Sequence, residues 1–189
     1  MTARWHCLKV PAAELRVEAS LFTGQMFGWK RHDGHYVGVL GREVLGLKDC
    51  ANDTEVCCYT TPAATQPKLK GLVSDMFQLT VPLAPLCDRW GATDPRVKTL
   101  RTVLPGLRVV RQDPTECLVS FLCSSNNNIA RITLMLDRLR AAYGEKLCTV
   151  GTHAMYTFPT MERLAQVEEL ELREMGFGYR AAFVTRTAR

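Results

Sequence analysis

Between Asp113 and Gly144 the sequence punctuates its own folding more tightly than anywhere else, and this stretch limits what the chain can become. Asp113-Pro114-Thr115-Glu116 is a helix start signal. The aspartate can cap free amides, the proline suits the first helical position, and the glutamate can reach back as in a capping box. The helix it opens carries Cys117, Leu118, Phe121 and Leu122 and runs to Ser124-Ser125-Asn126. In the helix that follows, Ile129, Ile132, Leu136, Leu139 and Tyr143 recur at spacings of three and four, forming one apolar stripe that Gly144 closes. A third helix is expected from Thr160 to Gly176, burying Leu164, Val167 and Leu170. A fourth begins near Tyr179 and is still running at Arg189, with nothing after it to cover its apolar residues.

The first half reads differently. Leu15, Val17, Ala19 and Leu21 alternate with polar residues, the period of a half-buried strand. A turn at Thr23-Gly24-Gln25 follows, then strands over His35–Leu40, Glu43–Leu47 and Glu55–Thr61. After Pro62 the periodicity becomes helical, over Leu69–Leu79, Pro82–Trp90 and Arg96–Leu104. The expected fold class is therefore α+β: an antiparallel-sheet domain over residues 1–106, then helices of a second domain over 107–189.

Bulk properties remove several function classes. With 47% apolar and 23% charged residues, the 189-residue chain has the balance of a globular protein. No run of about 18 uncharged apolar residues occurs, so a membrane span is not expected. Met1 to Cys7 shows neither the apolar core nor the cleavage site of a leader. The eight cysteines form no C-x-x-C and several sit inside apolar runs, so they predict core packing in a reducing compartment and no metal site. The charge of +5 favours a polyanionic partner, and Arg173, Arg180, Arg186 and Arg189 face a single Glu174 over the last 17 positions.

The most unusual run is Ser124-Ser125-Asn126-Asn127-Asn128-Ile129-Ala130-Arg131. Three asparagines between helices make a turn and a cap on simple grounds. Arg131 needs more, because a cation in the first turn opposes the helix dipole and calls for an external acceptor. Amides and a guanidinium together supply groups that read base edges.

The segment Arg111–Thr133 resembles the signature of eukaryotic 8-oxoguanine DNA glycosylases, with supporting matches over Glu14–Arg16, Gly24–Trp29 and Gly176–Ala181. The resemblance implies an antiparallel domain followed by the first helices of a helix-hairpin-helix glycosylase domain. It implies that duplex DNA carrying 8-oxoguanine opposite cytosine is the partner, bent and read by base flipping. By the same resemblance, Asn126 and Asn127 belong to the DNA-contacting turn, with Asn126 filling the space of the flipped base. Arg131 and Arg180 donate to the orphaned cytosine, and Tyr179 wedges beside it. The Gly24 carbonyl accepts the N7–H that oxidation creates. Met26 and Gly28 depart from the family pattern, which has a small polar residue and an arginine there.

The family's nucleophilic lysine and its assisting aspartate belong with a Leu-Pro-Gly-x-Gly hairpin. Leu104-Pro105-Gly106-Leu107 imitates that hairpin, but Arg108 stands where its second glycine would be and it precedes the asparagine run. It is read as the end of a short helix. The expectations are thus a DNA N-glycosylase and apurinic/apyrimidinic lyase as parent, and a chain that stops before its catalytic residues and is inactive alone. No cofactor is expected, the state is monomeric, and the compartment is the nucleus with the mitochondrion as alternative. The competing reading is a non-catalytic module that binds damaged DNA; a third is a partial product that aggregates through its uncovered last helix.

Overall fold

The computed structural model describes residues 3–189; Met1 and Thr2, where the leader reading and the first expected domain begin, lie outside the described residues. Two compact units are present. One comprises the residues up to Gln25 together with Trp29–Arg111, the other Met26–Gly28 together with Gln112–Arg189.

In the first unit, strands β1 (His6–Cys7), β2 (Lys30–His32), β3 (His35–Leu40), β4 (Glu43–Asp49) and β5 (Thr54–Cys58) form an antiparallel sheet ordered β1-β5-β4-β3-β2. β3 and β4 fall where the alternation predicts, with Tyr36 opposite Leu47 and Leu40 opposite Glu43. Asp33 and Gly34 join β2 to β3 at φ +42° and +77°, the two-residue turn whose twist matches the flanking strands. The indole of Trp29 lies directly on Gly38, leaving no room for a side chain at that strand position.

The expected strand over Leu15–Leu21 is instead helix α1 (Val17–Leu21). Val17, Ser20 and Leu21 are its buried positions, which is helical spacing. Its first amides, Val17 N and Glu18 N, donate to the Asp49 carboxylate at 2.9 and 3.0 Å. A cap 32 residues away decides the conformation, and an apolar alternation only four residues deep is too short to resist it.

Helices α2 (Gln66–Met76), α3 (Leu83–Thr93) and α4 (Pro95–Val103) follow as the periodicity predicts. Asp94 caps α4 by accepting from Arg96 N at 2.9 Å. α3 is capped from a distance: Glu14 accepts from Leu83 N at 2.7 Å and Ala84 N at 3.2 Å. The Leu104–Leu107 imitation of a phosphate hairpin packs as a corner, its Gly106 carbonyl accepting from Arg16 N at 2.9 Å.

The second unit opens with α5 (Pro114–Ser124) and α6 (Ile129–Tyr143), matching the start and stop signals. Asp113 accepts from Glu116 N at 2.9 Å as expected. The reciprocal half of the capping box is corrected: the Glu116 carboxylate turns to the Arg140 guanidinium at 2.6 Å. A charged partner across the helix pair outcompetes a terminal amide for the carboxylate. A hairpin of β6 (Lys146–Val150) and β7 (His153–Tyr156) then appears, unforeseen in the sequence.

The single third helix expected to end at Gly176 is split into α7 (Met161–Ala165), α8 (Glu169–Leu172) and a wide turn over Arg173–Phe177. Leu172 is buried and Leu170 is exposed, the reverse of the expected face, because the break after α7 resets the helical phase. One face of the last helix, α9 (Arg180–Ala188), is covered, in contrast to expectation, while its Phe183 stays 44% exposed. Ala181 and Val184 join Phe27, Cys123, Leu136 and Phe177 in one buried core. Supplied by the short Met26–Gly28 segment, Phe27 is 4% exposed and lies against Phe121 with ring centroids 6.2 Å apart.

Candidate nucleic-acid interface

The turn between α5 and α6 gives each asparagine a different task. Asn128 caps α6, its Oδ1 accepting from Arg131 N at 3.0 Å. Asn127 is half-buried and turned inward: Nδ2 donates to Cys123 O at 2.9 Å and reaches Met135 Sδ at 3.5 Å, while Oδ1 accepts from Asn128 N at 3.0 Å. Asn126 alone is exposed with no side-chain hydrogen bond among the described residues, and its φ is +46°. Asparagine is one of the few residues that adopts this left-handed conformation at low cost, so the turn presents an amide to solvent on a fixed backbone.

α9 holds that turn from beside it. Arg180 is 3% exposed; its Nε donates to Ser125 O at 3.0 Å, and its Nη2 donates to the same oxygen and to Asn126 O at 2.9 Å. The Tyr179 hydroxyl donates to Ser125 O as well, at 3.1 Å, and the Arg180 guanidinium stands 4.5 Å from the Tyr179 ring centre. Gly176 and Gly178, at φ +93° and +58°, make the corner that brings this pair to the turn. Tyr179 remains 45% exposed.

Arg131 sits in the first turn of α6 and is exposed, with only a long 3.5 Å approach of Nη2 to Gly176 O. Asn126, Arg131, Tyr179 and Arg180 therefore converge at one end of the second unit, at the N-termini of α6 and α9. Both termini present partial positive charge, and Arg131 adds a full one, so the surface suits electron-rich acceptors. The arginine-rich tail is less open than its sequence suggests. Arg173 pairs with Glu169 at 2.6 Å, Arg189 with Glu168 at 3.7 Å, and Arg180 is buried.

Gly24 lies in the first unit at φ +89°, a conformation that favours glycine. Its neighbour Gln25 fixes the turn: Nε2 donates to Ser20 O at 3.1 Å and Arg108 O at 2.8 Å, while Oε1 accepts from Val110 N at 3.1 Å. The sequence places Gln25 in a turn and in the Gly24–Trp29 match, and these three bonds show what its amide does there. Gly28 has a counterpart that the sequence did not announce. A side chain there would meet Arg140 Nη2 at 2.9 Å, and Arg140 is 7% exposed against Glu116. At a position where the resemblance implies an arginine, the guanidinium of Arg140 from α6 already takes the space beside the backbone.

All eight cysteines are free, and among the described residues no group of three or more His, Cys, Asp or Glu could hold a metal ion. Among the described residues no helix is long and apolar enough to cross a membrane. An open apolar hollow of about 440 Å³ between α3 and α4, lined by Leu83, Trp90 and Leu100 among others, brings together no paired base and nucleophile. In the second unit the single lysine of the sequence is Lys146, at the exposed start of β6.

Comparison with known proteins bears on the family and the fold. The family described as 8-oxoguanine DNA glycosylase, N-terminal domain, matches residues 7–118, and the HhH-GPD superfamily of base excision DNA repair proteins matches residues 119–189. The chain is 40% identical over 188 residues to the N-glycosylase/DNA lyase OGG1 of Arabidopsis thaliana, covering 98% of this chain and 51% of the relative. It is 34% identical over 201 residues to the N-glycosylase/DNA lyase of Saccharomyces cerevisiae, covering 100% and 53%. The chain spans about half the length of these curated relatives. Among solved structures, the Clostridium acetobutylicum 8-oxoguanine glycosylase/lyase, in complex with double-stranded DNA containing cytosine opposite 8-oxoguanine, superposes with a TM-score of 0.82 at 27% identity. That match covers 93% of this chain and 58% of the other. The 3-methyladenine DNA glycosylase of Archaeoglobus fulgidus shares the fold at TM-score 0.68 and 16% identity.

Proposed function

We propose, for a chain that belongs to the 8-oxoguanine DNA glycosylase family, that its second unit reads the base opposite the lesion in duplex DNA. The observation that carries this is the convergence of Asn126, Arg131, Tyr179 and Arg180 on one turn. Asn126 would enter the space left by the extruded base. Arg131, exposed and held only by its 3.5 Å contact to Gly176 O, donates to the O2 and N3 acceptors of the orphaned cytosine, and Arg180 joins it by giving up bonds to the turn. Tyr179 occupies the kink. A partner base lacking those acceptors would leave a guanidinium unpaired in a desolvated site, which is the source of the discrimination. Asn127 serves the same surface by holding the turn to α5. In the first unit, the Gly24 carbonyl accepts the N7–H that separates 8-oxoguanine from guanine.

The whole protein, in this reading, is a DNA N-glycosylase and apurinic/apyrimidinic lyase. The 189 residues contribute recognition without a nucleophile, because none of the seven lysines has the catalytic motif around it. The experiment compares the affinity of this chain for duplexes with 8-oxoguanine or guanine opposite cytosine, at two salt concentrations, alongside borohydride trapping. Preference for the lesion duplex without a trapped adduct is expected. Arg131→Ala should weaken lesion binding by roughly 5- to 150-fold, the worth of one bidentate base contact. Equal affinities would remove the recognition role, and a covalent adduct would show that an amine of this chain performs the chemistry.

A further inference from the structure

Phe183 lies one turn along α9 from Tyr179, and the two rings meet edge to face with centroids 5.8 Å apart and planes at 76°. Its neighbours Ala181 and Val184 are buried in the core, whereas Phe183 is 44% exposed. A large aromatic so exposed on a helix whose buried face is already filled by others adds little to folding. Its ring contact is with Tyr179. That tyrosine is also held by its hydroxyl on Ser125 O at 3.1 Å and by the Arg180 guanidinium 4.5 Å from its ring centre.

We infer that Phe183 is a positioning residue for Tyr179, holding its ring in the wedging orientation before DNA arrives. The inference rests on the wedge role proposed above. An edge-to-face pair is favourable beyond the area it buries, and a ring ordered in advance loses less rotamer freedom on binding. Removing the Phe183 ring leaves the Tyr179 hydroxyl tethered and its ring free to pivot about that tether. The wedge is then present and misaligned.

The test uses the 189-residue chain and a duplex with 8-oxoguanine opposite cytosine, carrying 2-aminopurine beside that cytosine so that unstacking at the kink raises its fluorescence. Phe183→Ala should weaken binding about 2- to 10-fold and reduce the fluorescence rise, with the thermal midpoint nearly unchanged. Phe183→Tyr, which keeps the ring, should restore both signals; Phe183→Leu, which keeps the bulk, should not. In a Tyr179→Ala background, Phe183→Ala should add no further loss, since its effect runs through the tyrosine. A silent Phe183→Ala beside a damaging Tyr179→Ala would overturn the inference alone. An equal loss in both backgrounds would overturn it too, by showing that Phe183 touches DNA itself. A wild-type chain that neither prefers the lesion nor raises the fluorescence would remove the wedge role and the inference together.

Discussion

Arg108 offers the sharpest test of how the first unit is held together. Its side chain is 5% exposed. Nη2 meets the Glu14 carboxylate at 2.5 Å, Nε donates to Glu14 O at 2.5 Å, and Nη1 donates to Gln78 O at 3.0 Å and Val81 O at 2.9 Å. Glu14 is itself occupied as the cap of α3, so a single ion pair ties the entry to α1, the end of α2 and the start of α3. Arg108→Met keeps most of the volume and removes every donor of the guanidinium. Breaking a buried pair from one side costs about 3–5 kcal/mol. The lower end applies here, because Glu14 keeps two backbone amides and is 24% exposed. With a urea slope of about 2 kcal/mol per molar, a loss of about 3 kcal/mol lowers the unfolding midpoint by roughly 1.5 M. Arg108→Lys should recover only part, since one ammonium cannot serve a carboxylate and three carbonyls in separate directions. Equilibrium urea unfolding followed by circular dichroism measures both. A midpoint within about 0.3 M of wild type for Arg108→Met would refute the reasoning.

Two further outcomes follow from the titrating groups of the structure. Glu43 accepts from Lys68 at 2.6 Å, Thr60 at 2.7 Å, Thr61 at 2.9 Å and Cys58 at 3.2 Å, and these donors, Lys68 foremost, hold its carboxyl down at about 2. Its folded value lies below its unfolded value, so the stability it contributes is full above about pH 4.5 and is lost as pH falls towards 2. Glu43→Gln should flatten that part of the stability–pH curve by about 1–2 kcal/mol, and an unchanged acid limb would count against the network. Burial pushes the Cys57 and Cys123 thiols up to about 11 and 12. Both are also buried where Cys7 is exposed, so iodoacetamide at pH 8 should alkylate Cys7 in the native protein long before either, by mass spectrometry. Labelling of Cys123 as fast as Cys7 would contradict the packing of α5 in the second core.

What the sequence made legible was whatever is decided within a few residues. The Asp113 cap, the α5–α6 pair and the β3–β4 pairing each carry their signal locally, and each stands in the structure. The α+β class, with its antiparallel sheet of five strands, follows from those elements. Two of the failures share a physical cause, a partner far along the chain. α1 reads as a strand until the Asp49 carboxylate caps it, and Glu116 reads as a capping-box residue until Arg140 claims it. The β6–β7 hairpin is a different case. Its two strands flank Gly151-Thr152, with Gly151 at φ +55°, a readable turn that the neighbouring helical periods overshadowed.

The candidate site divides along the same line. Asn126 and Arg131 were legible because a polar turn and a cation at a helix start are local anomalies, and the structure leaves both exposed. The placement of Arg180 was not, because its environment is made by Ser125 and Asn126, more than fifty residues earlier in the chain. That environment bears directly on how a buried guanidinium could read a base. Ser125 O receives the Tyr179 hydroxyl and two N–H groups of Arg180, three donors for an oxygen with two lone pairs. One of those donors is surplus, so Arg180 can turn an N–H away without orphaning the carbonyl, since the tyrosine hydroxyl and the second N–H still satisfy it. The proposed cytosine contact by Arg180 therefore gives up the Nη2 bond to Asn126 O without orphaning Ser125 O, whereas unfolding the turn would sacrifice the Asn126 geometry on which the same reading depends. Tyr179 is what makes that exchange cheap, which couples the wedge and the reading arginine through one carbonyl oxygen.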